Sequence, residues 1–217
     1  MLTAVMKPLL FLLATVVAAP VWIAETQENF DRATELPANW NTGVTGSGTA
    51  KWEVVADSSA PSKPNVLRQS GEATFAWAVK TDHPIQNGFV EVKIKPVSGR
   101  EDQAGGIVWR FKDSDNYYIV RANALEDNVV LYKTLNGKRS SLQVKGRMFG
   151  YGVDTIVPSG KWSTLRVEFA GEMFTVFFNG SKLFEVQDKT FADAGNVGVW
   201  TKADSVTLFD DFIYGER

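Results

Sequence analysis

Hydrophobic and polar residues alternate along most of this chain, and the clearest alternation lies between residues 160 and 188. Two successive runs there place apolar residues at every second position: Leu165, Val167 and Phe169, then Phe174, Val176 and Phe178. A period of two is typical of a β-strand with one buried face. The pair Asn179-Gly180 follows and fits a two-residue type I′ turn, because both central residues of that turn need positive φ. The segment therefore predicts consecutive β-hairpins.

The same pattern, interrupted by Gly, Asn and Asp turn residues, predicts twelve strands along the chain. They cover residues 52–56, 65–69, 74–80, 88–96, 105–112, 117–124, 129–135, 163–169, 174–179, 182–187, 195–201 and 207–214. No segment has the period of an amphipathic helix, so we expect an all-β fold, a jelly-roll sandwich of two antiparallel sheets. Residues 145–160 break the rhythm and predict a long loop. The buried set should include Trp109, Phe111, Val167, Phe169, Val176 and Phe178.

Several stretches resemble known families. The run GKWSTLRV, a glycine turn and an aromatic strand ending in Asn-Gly resemble the concanavalin A-like lectin/glucanase superfamily, which includes laminin-G-like domains. The runs GGIVWRF, DNYYIVRAN and NVGVWTKADS are similar to bacterial secreted domains of the 3-keto-disaccharide hydrolase group. The resemblance implies a jelly roll over residues 30–214 and a carbohydrate as ligand or substrate. The stretch with which those hydrolases present acidic residues to substrate is not recognisable here, so their activity does not carry over.

The N-terminal segment predicts export. Lys7 precedes an apolar run at residues 9–19 that is shorter than the roughly 20 residues a membrane span needs. We interpret residues 1–24 as a secretory signal peptide, with an uncleaved anchor as the alternative, and residues 25–217 as a single domain. The protein is then secreted or periplasmic. The chain has no cysteine, so its stability must come from its core or a metal rather than from disulfides.

Charge and composition exclude several classes of partner. The remaining 193 residues carry 22 basic and 25 acidic side chains, a net charge of −3, which does not favour nucleic acid. We expect no membrane span in the mature chain and no organic cofactor, and we expect a monomer.

Nucleophilic catalysis and zinc chemistry have few candidate residues. His83 is the only histidine and precedes a proline between two strands, and there is no cysteine to pair with it. A zinc site needs several imidazole or thiolate ligands, which this sequence cannot supply.

Glycoside hydrolysis needs two carboxyl groups across the scissile bond. The nearest acidic cluster, Glu126 and Asp127, lies in a predicted hairpin turn, where consecutive side chains diverge. These residues are therefore weak catalytic candidates. They form either a solvated turn or the acidic edge of a sugar-binding cleft.

An aromatic and basic surface is the stronger candidate for binding. Strand alternation predicts one surface with these side chains: Arg110, Tyr117, Arg121, Asn123, Trp200 and Lys202. Aromatic faces stack on sugar C–H patches, while Arg and Asn hold hydroxyl or carboxylate groups. The alternative is that Trp200 belongs to the core and Arg121 pairs with Glu126 or Asp127.

The last predicted strand suggests a structural Ca²⁺. The resemblance implies a cation held by an acidic residue of the final strand and by carbonyl oxygens near the N-terminus. Asp211 is the candidate ligand, on a face shared with Phe209 and Ile213 and close to the carbonyls around Phe30. Oxygen-only coordination suits a chain without cysteine.

Two functions remain from the sequence. The first is a secreted protein that binds a polysaccharide or oligosaccharide without cutting it. The second is a glycoside hydrolase of the 3-keto-disaccharide hydrolase-like or family-16-like type. The absence of a strand-borne Glu-x-Asp-x-x-Glu pattern favours the first, whereas the expected single-domain architecture favours the second.

Overall fold

The alternating segments form strands in two antiparallel sheets of eight strands each, and a computed structural model describes them over residues 24–217. In spatial order, sheet A contains β14 (Ser181–Gln187), β13 (Met173–Phe178), β12 (Ser163–Ala170), β6 (Gly88–Ser98), β16 (Val206–Glu216), β4 (Asn65–Gln69) and β3 (Trp52–Ala56), and β1 (Ala24–Glu28) pairs with β16. Sheet B contains β10 (Lys138–Ser141), β9 (Asn128–Leu135), β8 (Asn116–Asn123), β7 (Ala104–Asp113), β15 (Gly195–Ala203), β5 (Glu72–Ile85) and β2 (Trp40–Thr49), and β11 (Val153–Asp154) pairs with β9.

All twelve predicted strands are confirmed, with ends that differ by a few residues. Four strands were not predicted: β1, β2, β10 and β11. The longest of them, β2, reads WNTGVTGSGT and lacks apolar alternation because it pairs only along one edge, with β5. Glycine and threonine at such an edge do not give the signal of a half-buried strand.

The predicted Asn-Gly turn is confirmed between β13 and β14. Asn179 and Gly180 have φ values of 49° and 78°, the positive values that a type I′ turn requires. Asn136 and Gly137, between β9 and β10, repeat the pattern with φ of 51° and 74°. These turns fix the register of both edge hairpins.

The main core lies between the sheets and is rich in aromatic side chains. Trp109 is fully buried there, with its ring centroid 5.4 Å from that of Tyr118 and 6.0 Å from that of Phe169. Phe174 meets the same indole edge-on at 5.4 Å. The six side chains predicted to be buried are all buried, but Phe111 belongs to a second cluster on the other side of sheet B.

A β-bulge explains this exception. Alternation predicts that Arg110 faces away from both Trp109 and Phe111, and this is wrong for Trp109, because Arg110 lies over Phe169 and Phe174 on the same side of the sheet. Arg110 has a φ of 47°, and the pairing of β7 with β8 shifts register between Trp109 and Asp113. The extra residue reverses the facing of every later side chain in the strand. Trp109 therefore enters the main core while Phe111 lies on the opposite face of the sheet.

The predicted loop at residues 145–160 is largely irregular, although it contains the short strand β11. Val144, just before it, forms an isolated bridge with Val186 of sheet A, so the loop runs between the two sheets. Met148 and Phe149 at its tip are 84% and 83% exposed. Tyr151 turns back from this tip towards sheet B.

A partly buried carboxylate lies beside the main core. Asp188 accepts hydrogen bonds from the Tyr118 hydroxyl at 2.6 Å and from the Lys133 ammonium at 2.8 Å. Burial by itself would raise the pKa of Asp188, but these donors and Thr190 outweigh it and lower the pKa to about 2. The ionised carboxylate is thus stabilised by the fold.

Asp188 should contribute to stability only where its carboxylate is ionised. A pKa lower in the folded state than in the unfolded chain gives stability that is present above about pH 4 and is lost as the pH falls towards 2. We expect Asp188→Asn to lower the free energy of unfolding at pH 7 and to flatten its dependence on pH in this window, as measured by urea unfolding. The exposed Asp193→Asn is the control, and an equal change in both variants would contradict the assignment.

The predicted signal peptide, residues 1–24, lies outside the described residues except for Ala24, which begins β1. Within the part of the chain that is described, no helix is long and apolar enough to cross a membrane.

Candidate functional site

Sheet B is curled, so that side chains from both of its edges reach over the face that points away from sheet A. From one edge, the Thr45 hydroxyl donates to the Ser114 carbonyl at the tip of the β7–β8 hairpin and lies 2.9 Å from the Tyr117 hydroxyl. From the other edge, Arg139 of β10 reaches Phe75 of β5. We call this curled surface the concave face.

The floor of the concave face is aromatic. Phe75 and Trp200 stack with centroids 5.3 Å apart, and Phe111 and Tyr117 stack at the same distance. Trp200 and Tyr117 are both fully buried. The sequence therefore placed these two residues on the correct surface, but their rings support it from below rather than offering an open face to a sugar.

Polar residues meet at one end of the concave face, where β7 and β9 begin and β8 ends. We call them the polar network: Asp102, Arg121, Asn123, Glu126, Asn128 and Lys202. Arg121 donates to Asn128 Oδ1 at 2.5 Å and to Glu126 Oε2 at 2.7 Å. Asn123 Nδ2 donates to Glu126 Oε1 at 3.0 Å and to Asp102 Oδ1 at 2.7 Å. Lys202 donates to Asp102 Oδ2.

The central ion pair of the network, Arg121 and Glu126, is held in its charged form. Arg121 is 1% exposed. Burial by itself would lower the pKa of its guanidinium, but the neighbouring Tyr132 and Glu126 raise it. Burial would raise the pKa of Glu126, but hydrogen bonds from Arg121 and Asn128 lower it. These opposite shifts keep the pair charged across the physiological range.

Six of the predicted site residues thus lie on the concave face. Arg121, Asn123, Glu126 and Lys202 lie in the polar network, and Tyr117 and Trp200 lie in the floor beside it. The alternative, in which Trp200 is a core residue and Arg121 pairs with Glu126, is correct: both side chains are buried, so neither lies at the open surface that alternation predicted.

Two predicted site residues lie elsewhere. The bulge directs Arg110 away from the concave face, and its guanidinium donates to the backbone carbonyls of Gln86, Gly171 and Phe191. Asp127 has a φ of 48° and accepts a hydrogen bond from the Val157 amide at 2.9 Å, so it anchors the long loop. The structure does not bring either residue to the polar network.

Sequence reasoning missed several residues of this face. Asp102 precedes β7 in a turn and carries no pattern of its own, although it is 1% exposed. Tyr151 lies in the long loop. Its hydroxyl accepts a hydrogen bond from Arg121 at 3.2 Å and contacts the Tyr132 hydroxyl. The glycine-rich loop was the only signal that could have indicated Tyr151.

An open cavity of about 770 Å³ adjoins the polar network. Ser47 and Thr74 line its outer side, and Phe75, Glu101 and Lys202 line the side next to the network. Its walls therefore combine one aromatic ring with hydroxyl and charged groups. Such a mixture suits a ligand with many hydroxyl groups and apolar patches.

The structure does not support Asp211 as the candidate calcium ligand and points to its neighbour Asp210 instead. Strands β1 and β16 are neighbours, as expected, but Phe209 and Phe212 both enter the core, so the alternation that put Asp211 beside Phe209 and Ile213 fails at a bulge. Asp211 instead pairs with Lys93 at 2.7 Å and accepts from Gln27.

Asp210 has the surroundings expected for a cation ligand. It is fully buried, and burial raises the pKa of its carboxyl above the ordinary value. The Ser62 hydroxyl lies 2.7 Å from Asp210 Oδ1, 3.3 Å from the Asn29 carbonyl and 3.3 Å from Asp31 Oδ1. One hydroxyl proton cannot satisfy three acceptors, whereas a hard cation could bind the converging oxygens.

The described residues hold no group of three or more His, Cys, Asp or Glu side chains that could bind a metal. The oxygens around Asp210 would thus depend on a hydroxyl and a backbone carbonyl as well as on two carboxylates. That donor set fits Ca²⁺, which accepts such ligands, better than it fits zinc.

Solved structures identify the architecture. The carbohydrate-binding module CBM66 from Bacillus subtilis matches with a TM-score of 0.63 and 18% identity, over 80% of this chain and 93% of that one. A β-glucanase from Bacillus licheniformis matches with a TM-score of 0.55 and 11% identity, over 89% and 98%. The fold is that of the concanavalin A-like lectins and glucanases.

A third match is domain 4 of AbnA, an extracellular arabinanase from Geobacillus stearothermophilus, in complex with arabinotriose. Its TM-score is 0.55, with 13% identity over 88% of this chain and 90% of that domain. No protein-family model matches the chain, and no curated protein sequence matches it. The concanavalin A-like resemblance read from the sequence is therefore confirmed as a fold, while the similarity to 3-keto-disaccharide hydrolases stays a prediction.

Proposed function

We propose that this protein binds a polysaccharide or oligosaccharide on the concave face, at the end that carries the polar network, without cleaving it. The observation that carries the proposal is the preformed network beside an open cavity. Its accessible groups, Glu126 and Lys202, are held in place by the buried Asp102, Arg121 and Asn123, so a sugar would bind to them with little loss of side-chain entropy. The fold is shared with carbohydrate-binding modules and glycoside hydrolases, which supports a glycan ligand.

The protonation states favour binding over hydrolysis. A glycosidase needs one carboxylic acid that keeps its proton until the leaving group departs, which requires a raised pKa. Glu126 has a lowered pKa because Arg121 and Asn128 bind its ionised form. Asp102 is engaged by Lys202 and Asn123. Glu126 is thus arranged to stay charged rather than to donate a proton.

One observation keeps the hydrolase as the second candidate. Asp102 and Glu126 both accept a hydrogen bond from the amide nitrogen of Asn123. Their carboxyl groups are therefore close enough for the pair used by retaining glycosidases, about 5 Å apart. Release of reducing sugar from a glycan panel, abolished by Glu126→Gln, would establish hydrolysis in place of simple binding.

Tyr151 offers the cleanest test of the binding site. Its side chain is 47% exposed at the rim of the polar network, so its ring can contact a bound sugar. We expect Tyr151→Ala to weaken binding of the best glycan from an array by about fivefold to tenfold, since an aromatic contact contributes roughly 1 kcal/mol. Titration calorimetry would measure the loss.

Phe149→Ala provides the matched control. Phe149 belongs to the same loop and is more exposed, but it has no contact with the polar network. Equal losses in both variants would mean that the loop tip, rather than the concave face, contacts the glycan. Unchanged affinity in Tyr151→Ala would exclude this end of the face as the site.

The oxygens around Asp210 favour a separate structural role for Ca²⁺. In this proposal Asp210, Asp31, Ser62 and the Asn29 carbonyl would hold the ion, which would join the N-terminal segment to the last strand. The ion would neutralise a buried carboxylate that no lysine or arginine of the described chain approaches closely enough for an ion pair. It would stabilise the fold at a place remote from the concave face.

A further inference from the structure

One arginine of the concave face has a charge that no acidic residue balances. Arg139 lies on the edge strand β10, opposite Thr134 of β9, and its side chain extends across the aromatic floor. Its guanidinium carbon lies 4.3 Å from the ring centroid of Tyr132, 4.6 Å from that of Phe75 and 5.5 Å from that of Trp200. Arg139 thus covers Trp200 and explains the burial of that ring.

The neighbouring cations of the polar network both form ion pairs. Arg121 pairs with Glu126, and Lys202 pairs with Asp102. Arg139 forms no ion pair or hydrogen bond with any residue in the described range 24–217, and its Nη1 is buried without a partner. A guanidinium carries five N–H donors, and a buried donor without an acceptor costs roughly 1–3 kcal/mol.

The aromatic rings compensate for only part of this cost. A ring attracts the cation electrostatically, by roughly 0.5–2 kcal/mol depending on how well it is desolvated. An aromatic ring does not replace the two parallel N–H···O hydrogen bonds that a carboxylate can accept from a guanidinium. Arg139 is only partly buried, so a ligand can approach the solvent-facing part of its guanidinium, beside the buried Nη1. The three rings hold the guanidinium in place for that ligand.

We propose that the glycan bound on the concave face is acidic, and that its carboxylate or sulfate group pairs with the guanidinium of Arg139. This inference rests on the proposed function and narrows it to one substrate class. The anionic group would balance the charge of Arg139, which no acidic residue of the described chain balances in the free protein. A neutral glycan has no group that could do so.

Three ligands of equal length would test the inference by titration calorimetry with the full chain. They are an oligogalacturonate, the neutral oligogalactan obtained from it by carboxyl reduction, and a sulfated oligogalactan. We expect one of the two anionic ligands to bind at least tenfold more tightly than the neutral one. The comparison of the two anionic ligands distinguishes a uronate from a sulfate ester as the source of the charge.

Variants at position 139 test whether Arg139 causes the preference for anionic ligands. Arg139→Met keeps an apolar side chain over the rings and should remove the preference for the anionic ligand, by about tenfold, while leaving neutral binding unchanged. Arg139→Lys keeps the charge but loses the two parallel hydrogen bonds, and should restore part of the preference. Lys138→Gln removes an exposed charge from the same strand and should have no such effect.

The outcomes separate this inference from the function on which it rests. Equal affinity for the anionic and neutral ligands would overturn the role of Arg139 but leave glycan binding intact. Equal loss of all ligands in Arg139→Met would mean that the side chain only supports the aromatic floor. Thermal unfolding of each variant identifies any that fail to fold. If Arg139→Met does not fold, the affinities of Arg139→Lys for the anionic and neutral ligands decide the role of Arg139. If no glycan of a broad panel binds, both the proposed function and this inference are wrong.

Discussion

We expect calcium at a hundredfold excess over its dissociation constant to raise the midpoint of thermal unfolding by about 5 to 10 °C, and Asp210→Asn to abolish the increase. A ligand that binds only the folded state stabilises it by mass action, by roughly 2.7 kcal/mol at that excess. For a domain of this size, each kcal/mol shifts the midpoint by about 2 to 4 °C. Asp210 is the one fully buried carboxylate among the converging oxygens, so its charge is needed to hold the ion.

Asp211→Asn provides the matched control, because Asp211 is adjacent in sequence but pairs with Lys93. This variant should keep the full response to calcium. Magnesium should stabilise less, because it requires a smaller and more regular coordination shell. A melting curve that neither calcium nor a chelator shifts would show that the hydrogen bonds from Ser62 and from the Asp211 amide satisfy Asp210. A response lost in Asp211→Asn and kept in Asp210→Asn would return the site to Asp211.

Local pattern was sufficient to predict most of the strands. Leu165, Val167 and Phe169 alternate because one face of β12 packs on the core and the other faces solvent. The local sequence of such a strand is therefore sufficient to predict it and its buried face. An edge strand such as β2 does not, because a row of Gly, Thr and Ser is compatible with a strand only when a neighbour such as β5 supplies the pairing.

Bulges account for the errors in facing. At Arg110 and at Asp211 a non-glycine residue adopts a positive φ, and the alternation reverses beyond it. Nothing in the local sequence distinguishes these positions from regular strand, because the bulge is stabilised by distant partners. For Arg110 those partners are carbonyls from three other segments.

The candidate site was predictable only where its residues share one strand, because alternation is a local pattern. Arg121 and Asn123 share a strand, so alternation placed them together correctly. Asp102 joins them through a hydrogen bond to Asn123 across 21 positions of sequence, and Arg139 joins the floor through ring contacts with β5 and β15. The curl of sheet B creates these contacts, and no local pattern encodes that curl.

Arg110 should be more important for stability than for binding. Its buried guanidinium donates to the carbonyls of Gln86, Gly171 and Phe191, and it lies over the rings of Phe169 and Phe174. It therefore ties two turns and a loop to one end of the sandwich. Burial lowers the pKa of this guanidinium, but an arginine stays charged at any ordinary pH.

We expect Arg110→Met to reduce the free energy of unfolding by about 3 to 5 kcal/mol, because up to three carbonyls would lose a charged donor at roughly 1 to 3 kcal/mol each. Glycan affinity of the folded protein should stay unchanged, since Arg110 lies off the concave face. Urea unfolding and calorimetry measure the two quantities separately.

Lys112→Met is the control for this experiment. Lys112 lies on the same strand and also donates to a loop carbonyl, that of Ala194, but at an exposed position. Its loss should cost less than about 1 kcal/mol, because water replaces an exposed partner. Similar costs for the two variants would mean that the carbonyls around Arg110 find other donors. A loss of glycan affinity in folded Arg110→Met would instead place Arg110 in the binding surface that alternation predicted, and the bulge would have to rearrange when the ligand binds.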